Sequence, residues 1–329
     1  MTDRTLIVVP CLNEADHLPG LITHLLADAG RDDLIVIADG GSQDGSQAIA
    51  AAFCESDGRV RLEPNPARLQ SSGLNLAVLR HGGDRDFLVR IDAHAGYPRD
   101  FVRRLIMAAN KTGADSVVVP MRTVGRGCFQ IAAATAQNSR IGAGGSAHRI
   151  GGASGWIDHG HHALMRLEAF RRIGGYDPSF SHNEDAEYDH RLNRAGGRVW
   201  FQSDLAIDYF PRSHPAALFR QYVNHGRGRA RTALKHRMPL KPRQLAPALV
   251  APAVAAGLAA LGVSSASHPL VLILAAPALL WAAVCVAGGA LAARRSQAPR
   301  CGYLAGAAAM VMHFGWSCGF LKGLASRRS

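Results

Sequence analysis

Short, uninterrupted apolar runs alternate with stretches of helical periodicity through the first 121 residues, and this alternation restricts the fold more than any other feature. "TLIVVP" (5–10), "DLIVIAD" (33–39), "VRLE" (60–63), "FLVRID" (87–92) and "SVVVPM" (116–121) read as strands covered on both faces. Between them lie helical patterns, with Leu18, Leu21, Ile22, Leu25 and Leu26 the clearest, then 46–54, 72–81 and 97–110. Strand and helix in turn predict an α/β fold, a mostly parallel Rossmann-like sheet with helices on both faces. Ligands of such sheets bind beyond the carboxyl ends of the strands, where strand order reverses. The polar clusters stand at those ends: Pro10 to Glu14, Asp39 to Ser42, and Asp92-Ala93-His94. No GxGxxG follows the first strand, which disfavours a nicotinamide-binding domain.

Charge divides the chain. The last 121 residues hold 15 of the 37 Lys and Arg and none of the 25 Asp and Glu, which leaves the first 208 at −3. A near-neutral domain is thus followed by a basic, apolar tail, a pattern that argues against nucleic-acid binding, where a basic, aromatic-studded face would be required. Three apolar segments, 245–265, 270–291 and 302–321, form that tail. The first two lack any charge over about 20 residues, enough to cross roughly 30 Å of hydrocarbon; a buried helical hairpin is the alternative. The third contains His313 and Trp316 and is followed by Lys322, Arg327 and Arg328. Three crossings would put those charges outside, against the positive-inside tendency, so two spans and an interfacial third helix fit better. No signal peptide precedes the first strand, which predicts a cytosolic first domain. The six cysteines show no paired spacing and indicate neither a disulfide framework nor a zinc ribbon.

Several residues carry candidate chemistry. Asp39 ends the second strand, where its carboxylate either fixes a turn or accepts hydrogen bonds from a nucleotide. Asp92 and His94, two apart beyond a strand, can hold a divalent ion against a diphosphate, because Mg²⁺ and Mn²⁺ need few protein ligands when phosphate oxygens complete the shell; capping the next helix would explain Asp92 equally well. In "SFSHNEDAEYDHRL" (179–192), Ser181 and Glu184 match a capping box, putting Glu184 and Asp185 in a first helical turn. A carboxylate kept ionised there suits general-base work, or simply complements the helix dipole. Arg227 and Arg229 in "RQYVNHGRGRAR" (220–231) suit a diphosphate or anionic lipid headgroups. His159 and His161 of "DHGHH" share a strand face but lack the further ligands of a zinc site. His161 and Trp156 read better as walls of a sugar or acceptor pocket.

In order, "VVPCLNE", "DGGSQDGS", "NPARLQSSGLN", "RIDAHAGYP", "AQNSRIGAGGSAHR", "DHGHHALMR", "FSHNEDAEYDHRL" and "RQYVNHGRGRAR" resemble the inverting family 2 glycosyltransferases of GT-A fold. Within that family the chain is most similar to the membrane-associated glucosyltransferases of succinoglycan-type exopolysaccharide assembly. The resemblance implies a GT-A domain over 1–243, with a nucleotide-binding half to about 122 and an acceptor half beyond it, and a membrane segment over 244–329. It implies that Pro10, Asn13, Glu14, Asp39, Arg68 and Asp92 bind the donor nucleotide. Asp92 and His94 occupy the family's DxD position, with histidine replacing the second aspartate, and imply Mn²⁺ or Mg²⁺. Asp185, beside Glu184, matches the general base. Gln221, Arg227 and Arg229 stand at the Q/RxxRW element near diphosphate and acceptor, with its tryptophan missing. The implied activity moves a sugar, glucose first, from a UDP-sugar to a polyprenyl-diphosphate-linked glycan, with a β-linkage. The enzyme would sit among the lipids of a bacterial inner membrane, catalytic domain towards the cytoplasm. A polyprenyl-phosphate sugar transferase and a non-catalytic nucleotide-sugar sensor are the competing readings.

Overall fold

The computed structural model describes residues 3–144, 152–240, 242–263, 268–296 and 298–326. Residues 145–149 of the "AQNSRIGAGGSAHR" motif, and Arg327 and Arg328, lie outside them. The described chain packs as two compact units, each made of two chain segments.

The first unit comprises Met1–Arg122 and Gly151–Tyr209. It opens with β1 (Thr5–Cys11), α1 (Leu18–Asp28), β2 (Leu34–Asp39), α2 (Ser46–Ser56), β3 (Val60–Pro64), α3 (Gln70–His81) and β4 (Phe87–Arg90). Then come α4 (Phe101–Thr112), β5 (Ser116–Val119) and β6 (Met121–Thr123). Next along the chain, in the second unit, are α5 (Cys128–Gln137) and α6 (Arg140–Ala143). The first unit resumes with β7 (Gly155–Ile157), β8 (His161–Arg166), α7 (Leu167–Arg172), α8 (Glu184–Arg194), β9 (Val199–Phe201) and β10 (Ile207–Tyr209).

Eight strands form one sheet in the order β3-β2-β1-β4-β8-β5-β9-β7, while β6 and β10 pair separately. The pairs β1–β2, β1–β4, β2–β3 and β5–β9 are parallel; β8 runs antiparallel to both its neighbours. The alternation within the apolar runs now has its physical reason. Ile7, Val9, Ile35, Ile37, Phe87 and Val89 point into one core; Leu6, Val8, Val36, Ala38 and Leu88 point into the other, on the opposite face. Each of the larger of these side chains contributes about 1.5–3 kcal/mol of burial. Strand order reverses between β1 and β4, so the crevice expected for a ligand opens beyond their carboxyl ends. "WIDHGHHALMR" is two strands: β7 on the sheet's outer edge and β8 in its middle.

The second unit joins Thr123–Ile150 to Phe210–Ser329, so an expected boundary at 243 falls inside it. Its later helices are α9 (Pro215–Lys235), α10 (Pro242–Ala248), α11 (Val250–Val263), α12 (Pro269–Ala293), α13 (Pro299–Gly302) and α14 (Ala305–Ala325). Three helical stretches, Gln244–Val263, Pro269–Ala293 and Pro299–Ala325, are long and apolar enough to cross a membrane. Ala132, Ala133 and Ala136 of α5 share a core with Leu218 of α9, Cys285 of α12, and Ala305, Ala308, Ala309 and Met312 of α14. One expectation fails here. Cys128, at the start of α5, and Cys301, in α13, form a disulfide across 173 residues of sequence. A separation that long leaves no trace in local spacing.

Candidate active site

Three loops meet at the switch point, stitched by side chains rather than by further strands. Asn13, at φ 57°, turns the chain after β1. Its backbone N–H donates to Ser42 Oγ at 2.8 Å, and its side-chain oxygen accepts from Gln43 N–H at 2.8 Å. Glu14 N–H donates to Ser46 Oγ at 2.9 Å. Asp39 spends its carboxylate on the loop it begins, accepting from Gly41 N–H (2.9 Å), Ser42 N–H (3.0 Å) and Gln47 Nε2 (2.8 Å). The turn role weighed for Asp39 is therefore present. Gly41, at φ 84°, has no Cβ, and one placed there would lie 3.4 Å from the Arg68 guanidinium. Arg68, itself at φ 57°, thus folds over the backbone after β2. Pro10 lies in β1 opposite Ala38.

Beyond β4, the hydroxyl of Tyr97 accepts from Asp92 N–H at 2.7 Å and fixes the turn that presents Asp92. The Asp92 carboxylate accepts from Gln70 Nε2 at 2.8 Å and stands 3.5 Å from His161 Nε2. His94 Nδ1 meets Glu14 Oε1 at 2.8 Å, and the other Glu14 oxygen meets His17 at 3.0 Å. Burial pushes the Glu14 carboxyl up, but the His94 hydrogen bond and the charges of His94 and His17 hold it below the usual range.

At the centre lies a residue that sequence reasoning missed. Arg90, the last residue of β4, is buried, with 6% of its surface exposed. Its guanidinium is hydrogen-bonded to Asp185, 3.4 Å from Asp92 and 3.7 Å from Glu184. One cation thus faces three carboxylates, and their ionisation divides accordingly. Burial pushes Asp185 up, yet Arg90, His162 and His161 overrule it and hold the carboxyl down at about 2. Asp92 is likewise lowered, burial again losing to Arg90, His161 and His94. Glu184 takes the remaining cost: burial, then the neighbouring Asp185 charge, raise it to about 7. The site therefore pairs a carboxylate that stays ionised with one poised to exchange a proton at neutrality.

Glu184 opens α8, but the capping box expected from Ser181 is not formed. Asn183, at φ 66°, is the cap residue and makes no side-chain cap bond. Behind Asp185 lies a second missed cluster. His162, fully buried, contacts Asp189 Oδ1 at 2.8 Å and the Tyr176 hydroxyl, and stands 3.5 Å from Asp185. Burial lowers the His162 pKa, but Asp189 and Asp185 overrule it and raise the imidazole above its ordinary value. The adjacent histidines of "GHH" could have signalled this split, since neighbours on a strand point to opposite faces and His162 therefore faces the core.

Asp92, Asp185, Glu184 and His161 are thus brought together, with His94 linked through Glu14 beside them. Trp156 is not part of this group. It sits on the edge strand β7, 46% exposed, with its ring against Trp200 and Arg198. Gln221, Arg227 and Arg229 belong to the second unit, on α9. Among the described residues no three His, Cys, Asp or Glu side chains converge on one point as a cation cage. The donor set nevertheless fits a hard divalent ion whose remaining ligands come from a diphosphate. Metal-bound imidazoles characteristically give their other nitrogen to a carboxylate, the contact His94 makes with Glu14.

A doubly wound sheet with a charged cluster at its switch point, where a buried arginine joins a carboxylate from the turn after β4 to one from α8, is the architecture of a GT-A-fold transferase. The chain belongs to glycosyl transferase family 2, whose sequence profile matches residues 6–174. It is 48% identical to the succinoglycan biosynthesis protein ExoA of Rhizobium meliloti (strain 1021) over 321 residues, covering 97% of this chain and 94% of that one. Its fold is similar to that of a mannosyltransferase from Pyrobaculum calidifontis solved with GDP-Man and Mn²⁺. That likeness has a TM-score of 0.61 at 20% identity and covers 99% of this chain and 88% of the other. It is also similar to GalNAc-T7 solved with UDP, GalNAc and Mn²⁺, with a TM-score of 0.51 at 14% identity, over 68% and 47% of the two chains.

Proposed function

We propose that this glycosyltransferase moves glucose from UDP-glucose to a glycan carried on a polyprenyl diphosphate, inverting the anomeric carbon to a β-linkage, during exopolysaccharide assembly. The catalytic unit faces the cytoplasm, and the hairpin of α11 and α12 anchors it in the inner membrane. One observation carries the reading: Arg90 gathers Asp92, from the strand ends that would hold the donor, and Asp185, 95 residues further along the chain than Arg90, into one cluster. The full-length similarity to a succinoglycan biosynthesis protein supports the pathway class, and the apolar hairpin supports a lipid-linked acceptor.

The roles divide by position. The loops after β1 and β2, with Pro10, Asn13, Glu14, Asp39 and Arg68, cradle the nucleotide. Asp92 and His94 would hold Mn²⁺ or Mg²⁺, whose charge offsets that developing on the departing UDP. Asp185, kept ionised, takes the proton of the acceptor hydroxyl, and Glu184 exchanges protons beside it. Gln221, Arg227 and Arg229 on α9 serve the diphosphate and acceptor, and His161 lines the sugar pocket with Trp156 further out.

Release of UDP, measured with a panel of UDP- and GDP-sugars, tests the reading. UDP-glucose is expected to give turnover only with lipid-linked glycan present, and excess EDTA to abolish it until Mn²⁺ or Mg²⁺ is restored. Transfer to bare polyprenyl phosphate would make the enzyme a lipid-monosaccharide synthase instead. Donor binding without UDP release under any condition would leave a nucleotide-sugar sensor. Full activity in EDTA would remove the cation from Asp92 and His94.

A further inference from the structure

Asp185 and Asp189 stand one turn apart on α8, so their side chains share a helix face. Between them β8 inserts a single imidazole. His162 Nε2 meets Asp189 Oδ1 at 2.8 Å, while its Nδ1 lies 3.5 Å from Asp185 Oδ1 and contacts the Tyr176 hydroxyl. The other Asp189 oxygen accepts from Gly160 N–H at 3.2 Å. The side chains of His162 and Asp189 are sealed from solvent, whereas Asp185 keeps 20% of its side chain exposed. A carboxylate sealed in this way needs an opposite charge against it, and an imidazole supplies one only when both its nitrogens carry protons. Asp189 thereby makes Nδ1 a donor, facing Tyr176 and Asp185. Burial works against that charge, but Asp189 and then Asp185 hold the imidazole above its ordinary pKa.

The two oxygens of Asp185 are left unequal. Oδ1 is wedged between the Arg90 guanidinium and His162, both buried. Oδ2 stands 3.8 Å from His161 Nδ1, beyond hydrogen-bond reach, so the exposed part of the carboxylate is its Oδ2 side. From this geometry we infer that His162 and Asp189 are positioning residues: the buried pair fixes Oδ1 of Asp185 from behind, so that Oδ2 is the atom that takes the acceptor's proton. Sealed as they are, neither touches substrate. In the transfer step the acceptor's O–H bond breaks and its proton passes to Oδ2. The acceptor oxygen bonds the anomeric carbon, and the electron pair of the sugar–phosphate bond leaves with UDP.

The inference rests on the base role proposed for Asp185, and the experiment separates the two. Asp189→Asn keeps the shape of the side chain and removes its charge. The imidazole then loses its second proton, and Nδ1 turns a lone pair towards Asp185. In the full-length protein in detergent, kcat for UDP release from UDP-glucose with lipid-linked glycan is expected to fall about tenfold to a hundredfold. The KM for the glycan and the calorimetric affinity for UDP are expected to stay unchanged. His162→Gln keeps a donor towards Asp189 but lacks Nδ1; it is expected to behave alike, and it carries the test if Asp189→Asn does not fold. Each change is also made in Asp185→Asn, where it is expected to lower turnover no further, because the carboxylate it positions is gone. Native kcat with only a lowered denaturation midpoint would make the pair structural and overturn the inference. Losses that multiply with that of Asp185→Asn, or a fall in UDP affinity matching that in kcat, would also overturn it. Near-native kcat in Asp185→Asn itself would overturn the base role and the inference together.

Discussion

Asp185→Asn is expected to lower turnover by about 10²–10⁴-fold, the usual worth of a positioned base, while donor affinity stays near that of the native enzyme. The amide keeps the shape of the side chain and an oxygen for the Arg90 contact but cannot accept the acceptor's proton. Glu184→Gln separates the neighbours. Burial and the neighbouring Asp185 charge raise the Glu184 carboxyl, so an amide there resembles its protonated form, and the variant is expected to keep more activity than Asp185→Asn. Calorimetric UDP binding, together with kcat for both variants, reads this out. An Asp185→Asn enzyme with near-native kcat would pass the base role to Glu184.

The second large effect concerns folding. Arg90→Met is expected to destabilise the first unit by about 3–5 kcal/mol, because a buried pair that loses one partner leaves the other charge uncompensated. Here the stranded charges are Asp92 and Asp185, whose carboxyls Arg90 holds down. Arg90→Lys keeps the charge but not the flat fork that reaches several carboxylates at once, and is expected to lose less. The denaturation midpoint of each variant in detergent measures this. Equal midpoints for Arg90→Met and the native protein would mean that the cluster is already relieved by protonation, with Arg90 contributing little.

What was legible beforehand follows from how far a sequence signal reaches. Apolar runs filled on both faces identify a doubly wound sheet because burial acts residue by residue, and Ile7 and Leu6 end in different cores just as such a run requires. Asp92 and Asp185 were legible as polar residues at the ends of elements. Arg90 was not, since an arginine ending an apolar strand reads equally as a chain leaving the core. The Cys128–Cys301 bond and the His162–Asp189 contact join distant positions, and no local period encodes either. The cap went to Asn183 instead of Ser181, because asparagine tolerates the left-handed turn that begins α8. Trp156 and His161 are close in sequence, but the break between β7 and β8 puts Trp156 on the sheet's edge strand.

Each compact unit is interrupted by the other, and this has a practical consequence for anyone dissecting the molecule. No single cut separates the first unit from the second. Trimming the chain at 243 would strip Cys285, Ala305, Ala308, Ala309 and Met312 from the alanine faces of α5, leaving a sticky remnant. Excising a working catalytic piece requires re-engineering two seams at once, or purifying the whole polypeptide in lipid.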